Sequence, residues 1–158
     1  MELAKRKSPR ATWLDYNEGE YFVTVCTQGH KHFFGNIHQG KMLLSEIGKH
    51  LVACIENTPH HQPHIRIVQY VVMPNHVHMI VVLTEGKSSL NQIIGQFKSG
   101  VSRKIHEINS EICVCQRSFH DHIIRKQKEY EKIWLYIEAN PMNWEKDCFY
   151  IDPNIGTV

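Results

Sequence analysis

Several features are scarce in this 158-residue chain, and each scarcity excludes a class of protein. No apolar run approaches the ~20 residues that a membrane-spanning helix needs, so a membrane protein is not expected. The basic N-terminal residues have no apolar stretch behind them, which argues against a secretory signal. Excess charge is small: 18 Lys and Arg stand against 16 Asp and Glu, a net charge of +2, so charge alone does not announce a nucleic-acid binder. The 5 cysteines include no Cys-x-x-Cys pair, and Cys113 and Cys115 are too close for an ordinary structural disulfide or a zinc knuckle. A reduced, cytoplasmic protein is the simplest reading. Repeats, low-complexity tracts and linkers are also missing. The expected organisation is one domain over residues 1–158, with residues 1–12 as a mobile basic arm carrying Lys5, Arg6, Lys7 and Arg10.

Present instead are 42 % hydrophobic residues, enough for a globular core, and 12 histidines. Residues 21–27 are β-branched and aromatic and predict a strand. Gly35 and Gly40 punctuate a loop or short ribbon. Ser45 is a candidate cap for a helix with Ile47, Leu51, Cys54 and Ile55 as its apolar stripe, stopped by the Pro59 to Pro63 stretch. Residues 65–73 and 76–83 predict two strands joined tightly through Pro74 and Asn75. Ser89 caps a helix over residues 90–108, with Ile93, Ile94, Phe97, Val101 and Ile105 on one face. A short apolar piece at 112–115, a strand within 118–124 and a helix from Gln127 to near Asn140 complete the chain, Pro141 disfavouring helical geometry before it. The order β-α-β-β-α-β-α predicts an α+β fold: a ferredoxin-like, mostly antiparallel sheet with helices packed on one face and the other face free.

The sharpest local pattern is Met73-Pro74-Asn75-His76-Val77-His78-Met79-Ile80. Side chains two apart on a strand share a face, so His76 and His78 project together while Val77, Met79 and Val81 face the core. Two adjacent imidazoles form half of a site for a metal ion; the plainer reading is a pair of surface histidines. In the last helix Tyr130, Ile133, Trp134 and Ile137 form the buried stripe, and Tyr136 and Asn140 share its flank one turn apart. Alone, these two read as a boundary tyrosine beside a helix-ending asparagine. Taken with the histidines they suggest a mechanism: a divalent metal polarises a phosphodiester, and the tyrosine attacks it to form a covalent phosphotyrosine. Asn140 would add an oxygen ligand, and that donor set suits Mg²⁺ or Mn²⁺ better than a closed structural zinc site.

These segments, in this order, resemble the HUH single-tyrosine transposases, in particular the REP-associated tyrosine transposase branch. The resemblance runs through Trp13 to Thr27, Phe34-Gly35-Asn36-Ile37, Leu44-Ser45-Glu46-Ile47-Gly48, Val71 to His78, Phe97-Lys98-Ser99, Gln116 to Arg125 and Tyr136-Ile137-Glu138-Ala139-Asn140-Pro141. It implies that His76, His78 and Asn140 hold the metal and that Tyr136 is the nucleophile. It further implies DNA transposition and recombination on single-stranded DNA, usually hairpin-bearing, by a monomer or homodimer. A non-catalytic single-strand-binding relative and a metal hydrolase that uses water are the competing readings.

Arg125, Lys98, Arg103 and Lys104 are candidate phosphate contacts, with Arg125 foremost. His122 is a candidate DNA contact or support for the metal ligands. His60, His61 and His64 read as surface residues. Trp13, Tyr16 and Trp144 are expected to bury against the core in preference to stacking on bases.

Overall fold

The computed structural model describes residues 19–84 and 88–152; the basic arm, Trp13 and Tyr16 lie outside them. Its main sheet has four strands, β1 (Gly19–Cys26), β4 (Ile65–Met73), β5 (His76–Leu83) and β6 (His120–Ile123). Their order is β4-β5-β1-β6, with every neighbouring pair antiparallel. Helices α1 (Glu46–His61) and α2 (Leu90–Ile108) are the two crossovers and cover one face. This is the split βαβ arrangement of a ferredoxin-like fold. Helix α3 (Gln127–Ala139) follows the last strand.

Local chemistry accounts for the boundaries. The Ser45 hydroxyl accepts from the Gly48 N–H at 3.0 Å and donates to the Phe33 carbonyl at 2.6 Å, fixing the start of α1. Ser89 and Gln92 close a reciprocal capping box on α2. The end of α1 falls inside the Pro59 to Pro63 stretch, with His60 and His61 in its last turn. The loop-or-ribbon segment is a ribbon, β2 (Gly35–His38) paired with β3 (Lys41–Leu44). Its two turn residues, Gln39 and Gly40, both have positive φ (51° and 73°), as a tight hairpin turn requires. A β-carbon on Gly48 would lie 2.1 Å from the Phe34 carbonyl oxygen, so only glycine lets α1 approach the ribbon this closely.

The period-two alternation of the strands divides the core. Tyr21, Val23 and Val25 of β1 and Val77, Met79 and Val81 of β5 pack under Leu51 and Ile55 of α1 and the expected stripe of α2. Each such aliphatic burial contributes about 1.5–3 kcal/mol. The expectation of a free second face is corrected. There Ile80, Ile124 and Ile137 form a second, smaller cluster, with Phe22, Val68, Val71, Tyr130, Ile133 and Trp134 against it. The apolar stripe of α3 needs a partner, and the apolar residues of β1, β4 and β5 on that face provide one.

Candidate active site

β5 is a central strand, flanked by β4 and β1, and this decides where its histidines sit. In the register His78 lies opposite Thr24 and His76 opposite Cys26. Both imidazoles point to the α3 face, with ring centroids 4.6 Å apart. They are not the open-face residues that the alternation predicted: His76 is 0 % and His78 2 % exposed. Their cover is the segment after α3. Phe149 lies 4.8 Å from the His76 ring and 6.4 Å from His78, centroid to centroid, and Trp144 is 6.0 Å from His76. Trp144 is therefore buried, as expected, but buried against the site.

Each histidine has one ring nitrogen within hydrogen-bond distance of a side chain and one without a hydrogen-bond partner. His78 Nδ1 is 2.7 Å from Thr24 Oγ1, and His76 Nδ1 is 2.7 Å from Asn75 Oδ1. Both Nε2 atoms are sealed from solvent without a hydrogen-bond partner, and so is Asn140 Oδ1. Asp147 brings a carboxylate to the same place, its Oδ2 3.8 Å from His76 Nε2, and its side chain is only 1 % exposed. Ligand atoms of His76, His78 and Asp147 all lie within 4.8 Å of one another. Buried polar atoms without partners are costly, and three of them converging beside a buried carboxylate form a site that fits a cation. Two imidazole nitrogens with carboxylate and amide oxygens are a donor set for a divalent cation.

Electrostatics agree with that use. Burial pushes His76 down to about 3, helped by His30 and opposed by the neighbouring Asn140 amide. Burial likewise takes His78 to about 3, with His76 adding to the shift and Asp147 opposing it. Both rings are therefore neutral at pH 7, the protonation state a metal ligand requires.

Tyr136 stands at the rim. It is 44 % exposed, its ring centroid lies 5.3 Å from His78, and its hydroxyl donates to Asp147 Oδ2 at 3.5 Å. Burial raises its pKa, Asn140 opposes the rise, and the negative charge of Asp147 adds to it, so at neutral pH the group is a phenol. Asn140 ends α3 as its C-cap and is buried beside both His76 and Tyr136. The nucleophile and ligands expected from the sequence thus meet in one place within one chain.

The expected DNA contacts are more scattered. Arg125 is exposed at the β6–α3 junction, where its backbone N–H donates to Glu129 at 3.5 Å. His122, on β6, faces the side of the sheet that carries the site but contacts Glu129, tying the start of α3 to the strand. Lys98 donates to the carbonyls of Gln116, Arg117 and Ser118, which holds that loop together. Arg103 and Lys104 line a groove between α1 and α2, the layer on the opposite face of the sheet. Asp147, Thr24, Asn75 and Phe149 were not anticipated as site residues. Asp147 follows Asn140 by seven positions across an irregular stretch, and no periodicity marks such a spacing.

Comparison with known proteins gives a consistent picture. Residues 22–140 match the family described as "Transposase IS200 like". An uncharacterized protein of Haemophilus influenzae is 36 % identical over 170 residues, covering 93 % of this chain and 94 % of that one. Among solved structures, a REP-associated tyrosine transposase bound to a REP hairpin is similar, with a TM-score of 0.67, 22 % identity, and coverage of 87 % of this chain and 73 % of that one. A putative transposase from Deinococcus radiodurans has a TM-score of 0.53 at 16 % identity, with coverage of 84 % and 95 %. At these identities the two structures speak to the fold. Among the described residues no helix is long and apolar enough to cross a membrane.

Proposed function

This chain belongs to the IS200-like transposase family, and on that premise we propose that it is a metal-dependent DNA strand transferase that cuts and rejoins single-stranded DNA through Tyr136. The observation that carries the reading is the convergence of a half-exposed phenol with buried, partnerless His76 Nε2, His78 Nε2 and Asn140 Oδ1 beside Asp147. Within the family we assign it to the REP-associated branch, and hairpin-bearing DNA to it as substrate class. The similar protein bound to a REP hairpin supports that assignment.

His76, His78 and Asn140 would hold the metal, with Asp147 as a further oxygen donor. A divalent ion bound there supplies positive charge to the non-bridging oxygens of the scissile phosphate. The residues of the chain do the rest. Tyr136 Oη attacks phosphorus; its proton leaves toward Asp147 Oδ2, the acceptor already within 3.5 Å. A bond forms between Oη and phosphorus, the bond from phosphorus to the 3′ oxygen breaks, and that oxygen departs as a 3′-hydroxyl once protonated. The 5′-phosphotyrosine keeps the energy of the broken ester, so another 3′-hydroxyl can reverse the step and join strands. We assign to Arg125, as an exposed cation, the neutralisation of a phosphate of the entering strand.

The test is a covalent-adduct assay. Labelled single strands drawn from the DNA flanking the gene, hairpin-forming stretches included, are incubated with Mn²⁺ or Mg²⁺ and resolved on denaturing gels. A protease-sensitive shifted band in the wild type, absent in Tyr136→Phe, is the expected result. Full cleavage by Tyr136→Phe would remove the tyrosine from the mechanism, and metal-dependent cutting without an adduct would make water the nucleophile.

A further inference from the structure

We propose that Asn75 is a positioning residue. Its side-chain amide sets His76 in the tautomer whose Nε2 lone pair faces His78 and Asp147, so the site is prepared for a divalent cation before the cation arrives. The inference rests on the metal reading above and concerns how the chain builds that site.

Asn75 occupies the β4–β5 turn, a position where a polar side chain would ordinarily reach solvent, yet it is 0 % exposed. A buried primary amide must satisfy both its ends. Here they are satisfied in one sense only. Nδ2 donates to the Phe149 carbonyl at 2.7 Å and to the His30 carbonyl at 3.3 Å. Carbonyls only accept, so rotating the amide by 180° would set its oxygen against two other oxygens. Oδ1 is thereby held against His76 Nδ1, 2.7 Å away. An amide oxygen also only accepts, so Nδ1 carries the proton. A neutral imidazole has one N–H, and Nε2 is left with its lone pair exposed to the cluster.

The backbone of the same residue is anchored too. Its carbonyl accepts from the Thr27 N–H at 2.9 Å, which fixes the turn from which the amide projects. The contrast with His78 is informative. Its Nδ1 faces the Thr24 hydroxyl at 2.7 Å, and a hydroxyl both donates and accepts. Thr24 therefore fixes where the His78 ring lies but not which nitrogen is protonated. Asn75 fixes both for His76, and through the Phe149 carbonyl it also holds the stretch that delivers Asp147.

Long-range ¹⁵N–¹H NMR of the histidine rings in metal-free protein near pH 7.5, paired with Mn²⁺ binding followed by EPR, tests this. Wild-type His76 is expected to show a protonated Nδ1 and a bare Nε2. Asn75→Ala is expected to give mixed tautomers and about 10–100-fold weaker Mn²⁺ binding, the usual range for loss of a group that orients a metal ligand. Asn75→Asp keeps an acceptor against Nδ1 but sets its second oxygen against the Phe149 and His30 carbonyls, so it is expected to keep the wild-type tautomer at lower stability; the wild-type spectrum carries the test if neither variant folds. A protonated Nε2 in the wild type, a reversed tautomer in Asn75→Asp, or unchanged Mn²⁺ affinity in Asn75→Ala would each overturn the proposal. Failure of the wild type to bind Mn²⁺ would overturn the metal reading, while the His76 spectrum would still decide the role of Asn75.

Discussion

Acidification should destabilise this protein through His76 and His78, and the size of the effect follows from their burial. Each ring has an ordinary pKa of 6.5, and each is pushed to about 3 in the folded chain. Between those values the unfolded chain binds more protons than the folded one, so stability rises with pH. The contribution is complete above pH 6.5 and is lost as pH falls below it. The slope approaches about 1.4 kcal/mol per pH unit for each ring, so going from pH 7 to pH 5 costs about 2 kcal/mol per histidine and about 4 kcal/mol for the pair. The value of about 3 already includes the groups that face the rings: Asp147 opposes the depression of His78, and Asn140 that of His76. A loss of 4 kcal/mol is large against the 5–15 kcal/mol of a typical domain. With a urea slope of about 2 kcal/mol/M, the unfolding midpoint should fall by about 2 M. The measurement is urea unfolding in EDTA at pH 7, 6 and 5 for the wild type, His76→Gln and His78→Gln. Each variant should lose about half of the pH dependence. His32, also depressed by burial, leaves a residual slope of the same sign. A midpoint that barely moves between pH 7 and pH 5, or an undiminished slope in both variants, would refute the argument.

Three further outcomes follow from the packing. A β-carbon on Gly95 or Gly100 meets nothing within 4 Å, so Gly95→Ala and Gly100→Ala should each stabilise α2 by about 0.5–1 kcal/mol in urea unfolding. Ile137→Ala hollows the small cluster that seats α3 and should cost about 2–5 kcal/mol, with adduct formation falling further than the folded fraction, since Tyr136 rides on that helix. Phe149→Ala uncovers the two rings, so carbethoxylation of His76 and His78, followed by mass spectrometry, should accelerate at least several-fold over wild type.

What the sequence revealed divides along the distinction between local and long-range interactions. Helices α1 and α2 were legible because Ser45 and Ser89 are caps and their apolar spacing is regular. His76 and His78 were legible as a same-face pair because alternation along a strand is local. Their burial was not, because it depends on α3 and Phe149 folding over β5, contacts between residues about 60 to 70 positions apart. Tyr136 and Asn140 were legible as one-turn neighbours. Asp147 was not, since an irregular stretch has no period from which to place a carboxylate. Thr24 acquires its role only through the β1–β5 register, which no single strand encodes.

The unequal division of the core has a kinetic corollary. The large cluster clamps β1 and β5 beneath α1 and α2, whereas among the described residues α3 is seated by a cluster of three buried side chains, Ile80, Ile124 and Ile137. Native proteins open in cooperative units whose cost follows such packing. Amide protons of β1 and β5 should therefore exchange only when the whole chain unfolds, while those of α3 exchange through a cheaper, partial opening. During that excursion the histidine pair stays assembled on its strand while the helix carrying the phenol swings away. The two halves of the site thus have different lifetimes, and on the proposed function the strand to be cut would enter between them during that opening, leaving the fold that carries the histidines intact.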